Sequence, residues 1–184
     1  MQQDLNAPSE MAGLVAPGDS SQPRWYAAHV CSRHEKRVAQ ELEKRTIQYY
    51  LPLYKKTSRW KDRRVVLNLP LFPGYVFVRI PLSERLRLLT APGVVRLVAF
   101  QGRPAPLPEE EMERLRDGLR SVCAEPYPFL TAGRRVRIVQ GALAGLEGVL
   151  LRRRGRYRFV ISLDLIQRSI CVDVDADSLQ PGGI

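Results

Sequence analysis

The side chains with the greatest chemical reactivity in this sequence are one thiol and two imidazoles close together along the chain. Cys31 lies between His29 and His34, and a cysteine beside a histidine can act as an activated nucleophile. The chain has three cysteines, no C-x-x-C pair and only these two histidines, so neither a zinc site nor a disulfide framework is expected. No nucleophile elbow or paired-carboxylate pattern accompanies them. We expect no enzymatic activity, no metal and no cofactor; an enzyme of unknown reaction stays open because separated His and Cys residues can meet in a fold.

Basic side chains repeat at helical spacing along the next segment. This basic stripe consists of Arg33, Arg37, Gln40 and Lys44. Their i, i+4, i+7, i+11 spacing places them on one helix face, and the hairpin segment 55–64 adds six positive charges against one negative. Such groups can follow a phosphate backbone, while Trp60 and His34 can stack on exposed bases. The alternative is that these charges only solvate a helix face and a turn.

Three aromatic residues surround a Pro-Gly break: Phe72, Tyr75 and Phe77. Glycine permits a backbone turn that other residues resist, and strand alternation places Tyr75 and Phe77 on the same sheet face. They can form an apolar surface for a partner helix. An aromatic pair on a sheet face is more commonly part of the core, so the residues alone leave both interpretations open.

The second half of the chain is punctuated by glycines and carries its own basic turn. Glycines at 133, 141, 145 and 148 suit tight turns between short strands. A phosphate-binding loop is not expected, because no Lys-Ser or Lys-Thr follows them. Residues 152–158 combine five arginines with Tyr157. This composition suits nucleic-acid backbone contacts or, equally, a solvated turn.

The elements that position these residues follow from hydrophobic periods and turn signals. Residues 1–23 show no period and should be a disordered tail. A first domain over 24–121 begins with a strand at 25–30, and Ser32 with Glu35 forms the S-x-x-E pattern of a capping box that opens a helix reaching about Arg45. The other predicted elements of this domain are strands at 49–54, 65–69, 75–80 and 94–100, and helices at 83–89 and 109–119.

A change in the sequence pattern marks the end of the first domain. Pro126 and Pro128 favour an extended linker over 122–129, after which residues 130–184 show short alternating strands and no helical period. This pattern suits a small closed barrel that stays in the β state. The predicted fold class is therefore α+β, an antiparallel sheet flanked by helices and followed by a small all-β barrel.

Charge and hydropathy limit the partners. The formal charge is +10 with 29 Lys and Arg against 19 Asp and Glu, which favours nucleic acid, with an anionic membrane surface as the second choice. No apolar run approaches the roughly 18 residues of a membrane span, and no signal peptide pattern opens the chain. We expect a cytoplasmic monomer with no membrane association.

Taken together, several segments resemble the NusG family of transcription elongation factors over residues 24 to about 181. They are Trp25-Tyr26, the helix after Ser32, residues 71–78, residues 92–95 and the glycine-punctuated barrel. The resemblance implies an N-terminal NGN domain that closes across the RNA polymerase cleft and suppresses pausing, and a C-terminal SH3-like KOW barrel that recruits other factors.

The resemblance also implies roles for particular residues. Phe72, Tyr75 and Phe77 resemble the apolar pocket that grips the clamp helices of the largest polymerase subunit. The candidate contacts to the non-template DNA strand are Arg33, His34, Arg37, Lys44 and Arg45. In the barrel, Leu165, Ile166 and Arg168 correspond to an exposed surface offered to Rho or to a small ribosomal subunit protein, although Gln167 stands where glycine is common.

One departure bears on the role within the family. Housekeeping members tend to carry glycine and an aromatic at the start of the first helix, whereas this chain has Arg33 and His34. It therefore resembles the specialised RfaH and UpxY types, which read through long operons by preventing pausing and termination. The alternative is a KOW-type RNA-binding or ribosome-associated protein in which the barrel and the 152–158 turn bind structured RNA.

Overall fold

The computed structural model describes residues 20–60, 63–130, 133–153, 156–174 and 179–181. Most of the predicted tail 1–23, the tip of the predicted hairpin at 61–62 and the centre of the basic turn at 154–155 lie outside the described residues. Among the described residues, no helix is long and apolar enough to cross a membrane.

The described residues of the first half of the chain form nine strands and three α-helices. They are β1 (Arg24–Val30), α1 (Glu35–Lys44), β2 (Gln48–Tyr50), β3 (Leu53–Trp60), β4 (Arg63–Pro70), β5 (Tyr75–Ile80), α2 (Arg85–Leu89), β6 (Val94–Leu97), β7 (Ala99–Phe100), β8 (Arg103–Pro104), β9 (Pro106–Leu107) and α3 (Glu109–Gly118). A 3₁₀ turn at Leu82–Glu84 precedes α2.

The N-terminal sheet is antiparallel in the order β2-β5-β1-β6, and β9 also pairs with β1. Its central strand β1 is apolar along almost its whole length because both faces are covered. On one face, Tyr26 and Val78 pack with Val38 and Leu42 of α1. The predicted division of that helix into a packing side and a basic side is confirmed, since Val38 and Leu42 are fully buried.

Helix α3 covers part of the opposite face through Met112 and Leu115, which are buried in the same core cluster as Trp25. Its first turn is fixed to the sheet by Glu109. The Glu109 carboxylate accepts a hydrogen bond from Trp25 Nε1 at 3.1 Å and lies 3.1 Å from Arg79 Nε. Acidic residues in this first turn also complement the helix dipole.

The predicted capping box at Ser32 and Glu35 is wrong. Helix α1 begins at Glu35 with His34 as its N-cap residue, and no side chain caps it. Arg33 adopts a left-handed backbone with φ 64°, so the chain turns before the helix and His34 N–H bonds to Cys31 O at 3.0 Å. The Glu35 carboxylate is buried and holds a different backbone group, as described below.

The hairpin predicted at 55–64 consists mostly of paired strand, so its strands extend further than the predicted 49–54 and 65–69. β3 and β4 form a separate two-stranded ribbon with eight register pairs, from Leu53↔Pro70 to Trp60↔Arg63. The sequence hides this element because its charged residues alternate with Thr, Ser and Val, which are compatible with a pleated strand as well as with a loop.

From residue 124 onward, the residues that the structure describes form strands joined by turns. The strands are β10 (Ala124–Tyr127), β11 (Arg134–Ile138), β12 (Glu147–Arg153), β13 (Arg156–Leu163), β14 (Arg168–Val174) and β15 (Leu179–Pro181). They form the antiparallel C-terminal sheet in the order β10-β14-β13-β12-β11-β15. The α+β fold class is confirmed, as is the alternation that buries Val136 and Ile138 between exposed arginines.

Two local features of the C-terminal sheet follow from individual residues. The segment predicted as a linker is extended, but Ala124–Tyr127 pairs with β14 and adds an edge strand to the C-terminal sheet. In β12, a Cβ atom at Gly148 would overlap the carbonyl oxygen of Val160 and lie 2.7 Å from Phe159 Cζ. Only glycine allows this close approach of the two strands.

Candidate functional site

The loop before β5 is built around Gly74. Its φ of 85° is readily adopted by glycine alone, and its carbonyl accepts a hydrogen bond from Val30 N–H at 2.9 Å. Its own N–H donates to Glu35 Oε1 at 2.8 Å. A buried carboxylate on α1 therefore fixes the loop from which the aromatic residues project. Sequence reasoning missed this role because it assigned Glu35 to the helix cap.

The aromatic patch consists of Phe72, Tyr75 and Phe77, the three residues singled out in the sequence, together with Tyr50 from β2. The Phe72 and Phe77 rings meet edge to face with centroids 5.4 Å apart, and Tyr50 stacks on Phe77 at 6.3 Å. Both contacts have favourable aromatic geometry. Burial raises the pKa of Tyr50 to about 12, against the opposing effect of Arg120 and Arg116.

The C-terminal sheet packs on this patch, and we call this packing the closed arrangement. Phe72 and Phe77 share one continuous hydrophobic core with buried residues of the C-terminal sheet and its turns. The main residues on the C-terminal side are Val136, Ile138, Leu143, Leu146, Phe159, Ile161, Leu163, Ile166, Ile170 and Val172. Within this core, to which Met112 and Leu115 of α3 also belong, Phe72 and Phe77 are only 1% and 0% exposed.

Polar and steric contacts define the edge of the closed arrangement. The Arg168 guanidinium lies over the Tyr75 ring at 5.8 Å, a cation–π geometry, and Arg114 Nη1 donates to Gly145 O at 3.3 Å. At the end of α3, Gly118 leaves room for Leu143, whose Cδ2 would overlap a Cβ atom placed on Gly118.

One contact opposes closure. Burial, with a smaller contribution from Asp164, raises the pKa of Glu111. Asp164 begins the 3₁₀ turn Asp164–Ile166 of the C-terminal sheet, whereas Glu111 lies on α3. Closure thus brings the exposed Asp164 towards the partly buried Glu111, which is unfavourable while both carboxyl groups are ionised.

The turn that carries Leu165, Ile166 and Arg168 faces the patch. Ile166 is only 3% exposed and Leu165 is partly buried against the shared core, so the expectation that these apolar residues are exposed is wrong for the closed arrangement. Arg168 is exposed. Gln167 has a left-handed backbone with φ 49°, which explains physically why glycine suits this position.

The residues predicted to contact DNA divide into two groups. Arg33, His34 and Arg37 are exposed at the start of α1, where His34 Nδ1 lies 3.0 Å from Ser32 O. Lys44 and Arg45 at the other end are engaged in contacts within the protein.

The contacts of Lys44 and Arg45 are specific. Lys44 Nζ pairs with Glu41 at 2.8 Å, and its hydrogen bond lowers the pKa of Glu41. Arg45 donates to Arg87 O at 2.9 Å and to Thr90 Oγ1 at 3.0 Å, which links α1 to α2. Arg45 thus has a structural partner that the sequence did not reveal.

The other reactive or basic candidates have structural surroundings of their own. His29 packs against Tyr75 with ring centroids 5.4 Å apart, and Cys31 is exposed. Among the described residues, no group of three or more His, Cys, Asp or Glu side chains could hold a metal ion. In the basic turn, Arg158 pairs with Glu125 and Asp173, each at 3.2 Å; the side chains of Arg152, Arg153, Arg156 and Trp60 lie outside the described part.

Known proteins match both the sequence and the fold. The sequence model of the family described as "Transcription termination factor nusG" matches residues 23–116, just over half of the chain. The NusG termination/antitermination protein of Lactococcus lactis subsp. lactis (strain IL1403) is 24% identical over 170 residues, covering 85% of this chain and 91% of the relative. That of Yersinia pestis is 26% identical over 180 residues, covering 89% and 99%.

A solved structure, "Domain interaction in Thermotoga maritima NusG", matches with a TM-score of 0.59 at 20% identity, covering 88% of this chain and 98% of that one. Together the fold and these matches define a transcription termination and antitermination factor of the kind that joins an antiparallel sheet with helices to a β-rich region. The chain belongs to the NusG family.

Proposed function

We propose that this chain is a specialised elongation and antitermination factor that binds RNA polymerase through the aromatic patch. The observation that carries the proposal is the patch itself. Phe72, Tyr75 and Phe77 form an apolar surface on the N-terminal sheet, and that surface is covered by the C-terminal sheet of the same chain. An amphipathic helix pair of the polymerase clamp offers the same kind of apolar contact.

The patch can serve only one of these partners at a time. Polymerase binding therefore requires the C-terminal sheet to leave, and the apparent affinity is reduced by the fraction of chains that are closed. The solved Thermotoga maritima NusG structure is likewise named for a domain interaction, which supports contact between the two halves of the chain. In this mechanism the energy of binding holds the polymerase clamp shut, and no covalent bond is made or broken.

The exposed side chains at the start of α1 are proposed to hold the non-template DNA strand. Arg33, His34 and Arg37 lead this assignment because they are exposed. Lys44 and Arg45 have weaker support, since their contacts within the protein must be exchanged for phosphate contacts.

Opening also frees the turn of the C-terminal sheet. Leu165, Ile166 and Arg168, which face the patch in the closed arrangement, are proposed to recruit Rho or a small ribosomal subunit protein once released. We propose that the chain acts as a cytoplasmic monomer and needs no cofactor.

Paused-complex transcription with purified core RNA polymerase tests this function. Addition of the chain should shorten pauses and increase readthrough, and the chain should be captured by the polymerase. Absence of capture and of any effect on pausing, together with binding to ribosomal RNA, would favour the KOW-type RNA-binding alternative.

Charge reversal at Arg33 and Arg37 to glutamate should weaken the antipausing effect and flatten its salt dependence, because each lost phosphate contact removes about 0.7 from the log–log salt slope of single-strand binding. The measurement is pause lifetime against salt concentration. The matched control reverses two exposed arginines on other elements, Arg85 and Arg103. An equal change in both variants, or an unchanged slope, would remove the α1 assignment.

A further inference from the structure

The β3–β4 ribbon is the largest feature of the N-terminal half that the proposed function does not use. Its strands pair only with each other among the described strands. Each strand has 8 residues, so the ribbon is roughly 25 Å long at about 3.3 Å per residue. The two paired strands present two distinct faces.

The two faces differ in burial. The inner face carries Tyr54, which packs against the shared core, and the partly buried Ser58, Val65 and Leu69. Its other described members, Lys56, Arg63 and Leu67, are exposed. The outer face is formed by alternate residues of both strands, in register. Its exposed members are Leu53, Lys55, Thr57, Arg59, Arg64, Val66 and Asn68. Val66 is 60% exposed and Leu53 is 45% exposed, so apolar groups are in contact with solvent between the cations.

The charge on this outer face is of one sign. Lys55, Arg59 and Arg64 are its ionisable groups, and neither strand contains an acidic residue. Arg59 and Arg64 are direct cross-strand partners. Like charges placed opposite each other destabilise a strand pair. A bound polyanion would reduce the repulsion between these two guanidinium groups.

We propose that the outer face of the ribbon binds the major groove of double-stranded DNA. The major groove of B-form DNA is wide enough to admit a two-stranded ribbon. The three cations would contact phosphates, while Thr57 and Asn68 can hydrogen-bond to base edges and Val66 can contact thymine methyl groups. Double-stranded RNA fits less well, since its major groove is deep and narrow.

This surface goes beyond the proposed function, which places polymerase on the aromatic patch and single-stranded DNA on α1. The ribbon would add a grip on duplex DNA beside the transcription complex. Duplex binding needs neither polymerase nor the opening of the closed arrangement, because the outer face is already exposed.

Fluorescence anisotropy with the full chain tests the proposal. The probes are a labelled 20-base-pair DNA duplex, one of its single strands and an RNA duplex of the same sequence, each titrated at several salt concentrations. The test variant replaces Lys55, Arg59 and Arg64 with glutamine. The matched control removes the same charge by replacing Arg85, Arg96 and Arg103, which are exposed on other elements.

The wild type should bind the DNA duplex more tightly than either other probe. The ribbon variant should lose at least about tenfold in affinity and about 2 to 3 in the log–log salt slope, whereas the control variant should stay within about twofold of the wild type. Equal losses in the two variants, or tighter binding of the RNA duplex or the single strand, would overturn the proposal. Polymerase capture by the ribbon variant should be unchanged, so this test can fail without affecting the proposed function.

Discussion

Replacement of Gly118 with glutamine should raise the apparent affinity for core RNA polymerase by about tenfold or more, which corresponds to weakening closure by at least about 1.4 kcal/mol. A side chain at this position would overlap Leu143 Cδ2 and lie 2.9 Å from the Ala142 carbonyl oxygen. Glutamine also has a higher helix propensity than glycine, by roughly 0.5 kcal/mol in a helix interior, and Gly118 is the last residue of α3. The substitution therefore penalises the closed arrangement without weakening α3. The affinity is measured by equilibrium binding of the labelled chain to core polymerase.

The control for this experiment is Asp117→Gln, which changes the neighbouring exposed residue. It should leave the polymerase affinity near that of the wild type. Small-angle scattering on the same samples should show a larger radius of gyration for the Gly118 variant alone. Opening in solution without a gain in affinity would show that closure and polymerase binding do not compete.

The second large effect is expected from Tyr75→Ala in the Gly118→Gln background. Loss of this ring should weaken polymerase binding by about 1 to 3 kcal/mol, as expected for an aromatic anchor at an interface. The Gly118→Gln background is needed because Tyr75 also contacts Arg168 in the closed arrangement. In the wild type, loss of the Tyr75 ring would weaken both the closed arrangement and the polymerase complex. Tyr75→Phe keeps the ring and should retain most of the affinity.

Melting temperature separates the two roles of Tyr75. The side chain is only partly buried, so the variant should fold with nearly normal stability. A large loss of thermal stability with unchanged polymerase binding would return Tyr75 to the ordinary core.

The sequence revealed the elements of this fold where a single period dominates. The alternation around Val136 and the helical spacing of Val38 and Leu42 both predicted the correct buried faces. The placement of Phe72, Tyr75 and Phe77 around one turn was also predictable, because a Pro-Gly break followed by strand alternation fixes their relative directions.

What the sequence could not reveal depends on contacts between distant segments. The Glu35 carboxylate bonds to Gly74 N–H, 39 positions further along the chain, and a local S-x-x-E pattern gives no sign of that partner. Arg45 is of a residue type that can contact DNA, but its guanidinium is hydrogen-bonded to residues 42 and 45 positions further along the chain.

The closed arrangement is the largest of these non-local features. Phe77 and Ile166 each look like surface anchors when considered alone, and they become buried because their two sheets share one core. Burial of this kind follows from how the sheets pack together, which no period within one strand encodes. The extent of the ribbon is missed for the opposite reason. Its strands are largely exposed, and exposed strands carry little of the hydrophobic pattern from which a strand is predicted.

A reversible lock on the closed arrangement tests most directly whether the patch serves one partner at a time. A Cβ atom at position 118 would lie 3.0 Å from Leu143 Cγ, and one carbon–carbon bond adds about 1.5 Å, so the two Cβ atoms are within about 4.5 Å, as a disulfide requires. Leu143→Cys removes the overlap with Leu143 Cδ2, whereas the 2.9 Å approach of the new Cβ atom to the Ala142 carbonyl oxygen remains. The reduced variant is therefore weakened in closure, as Gly118→Gln is, and only the oxidised bond holds it closed. The variant Gly118→Cys/Leu143→Cys, with the exposed Cys31 and Cys123 replaced by serine, is measured for polymerase binding when oxidised and when reduced. We expect no binding when oxidised and recovery on reduction; equal binding in both states would contradict the account.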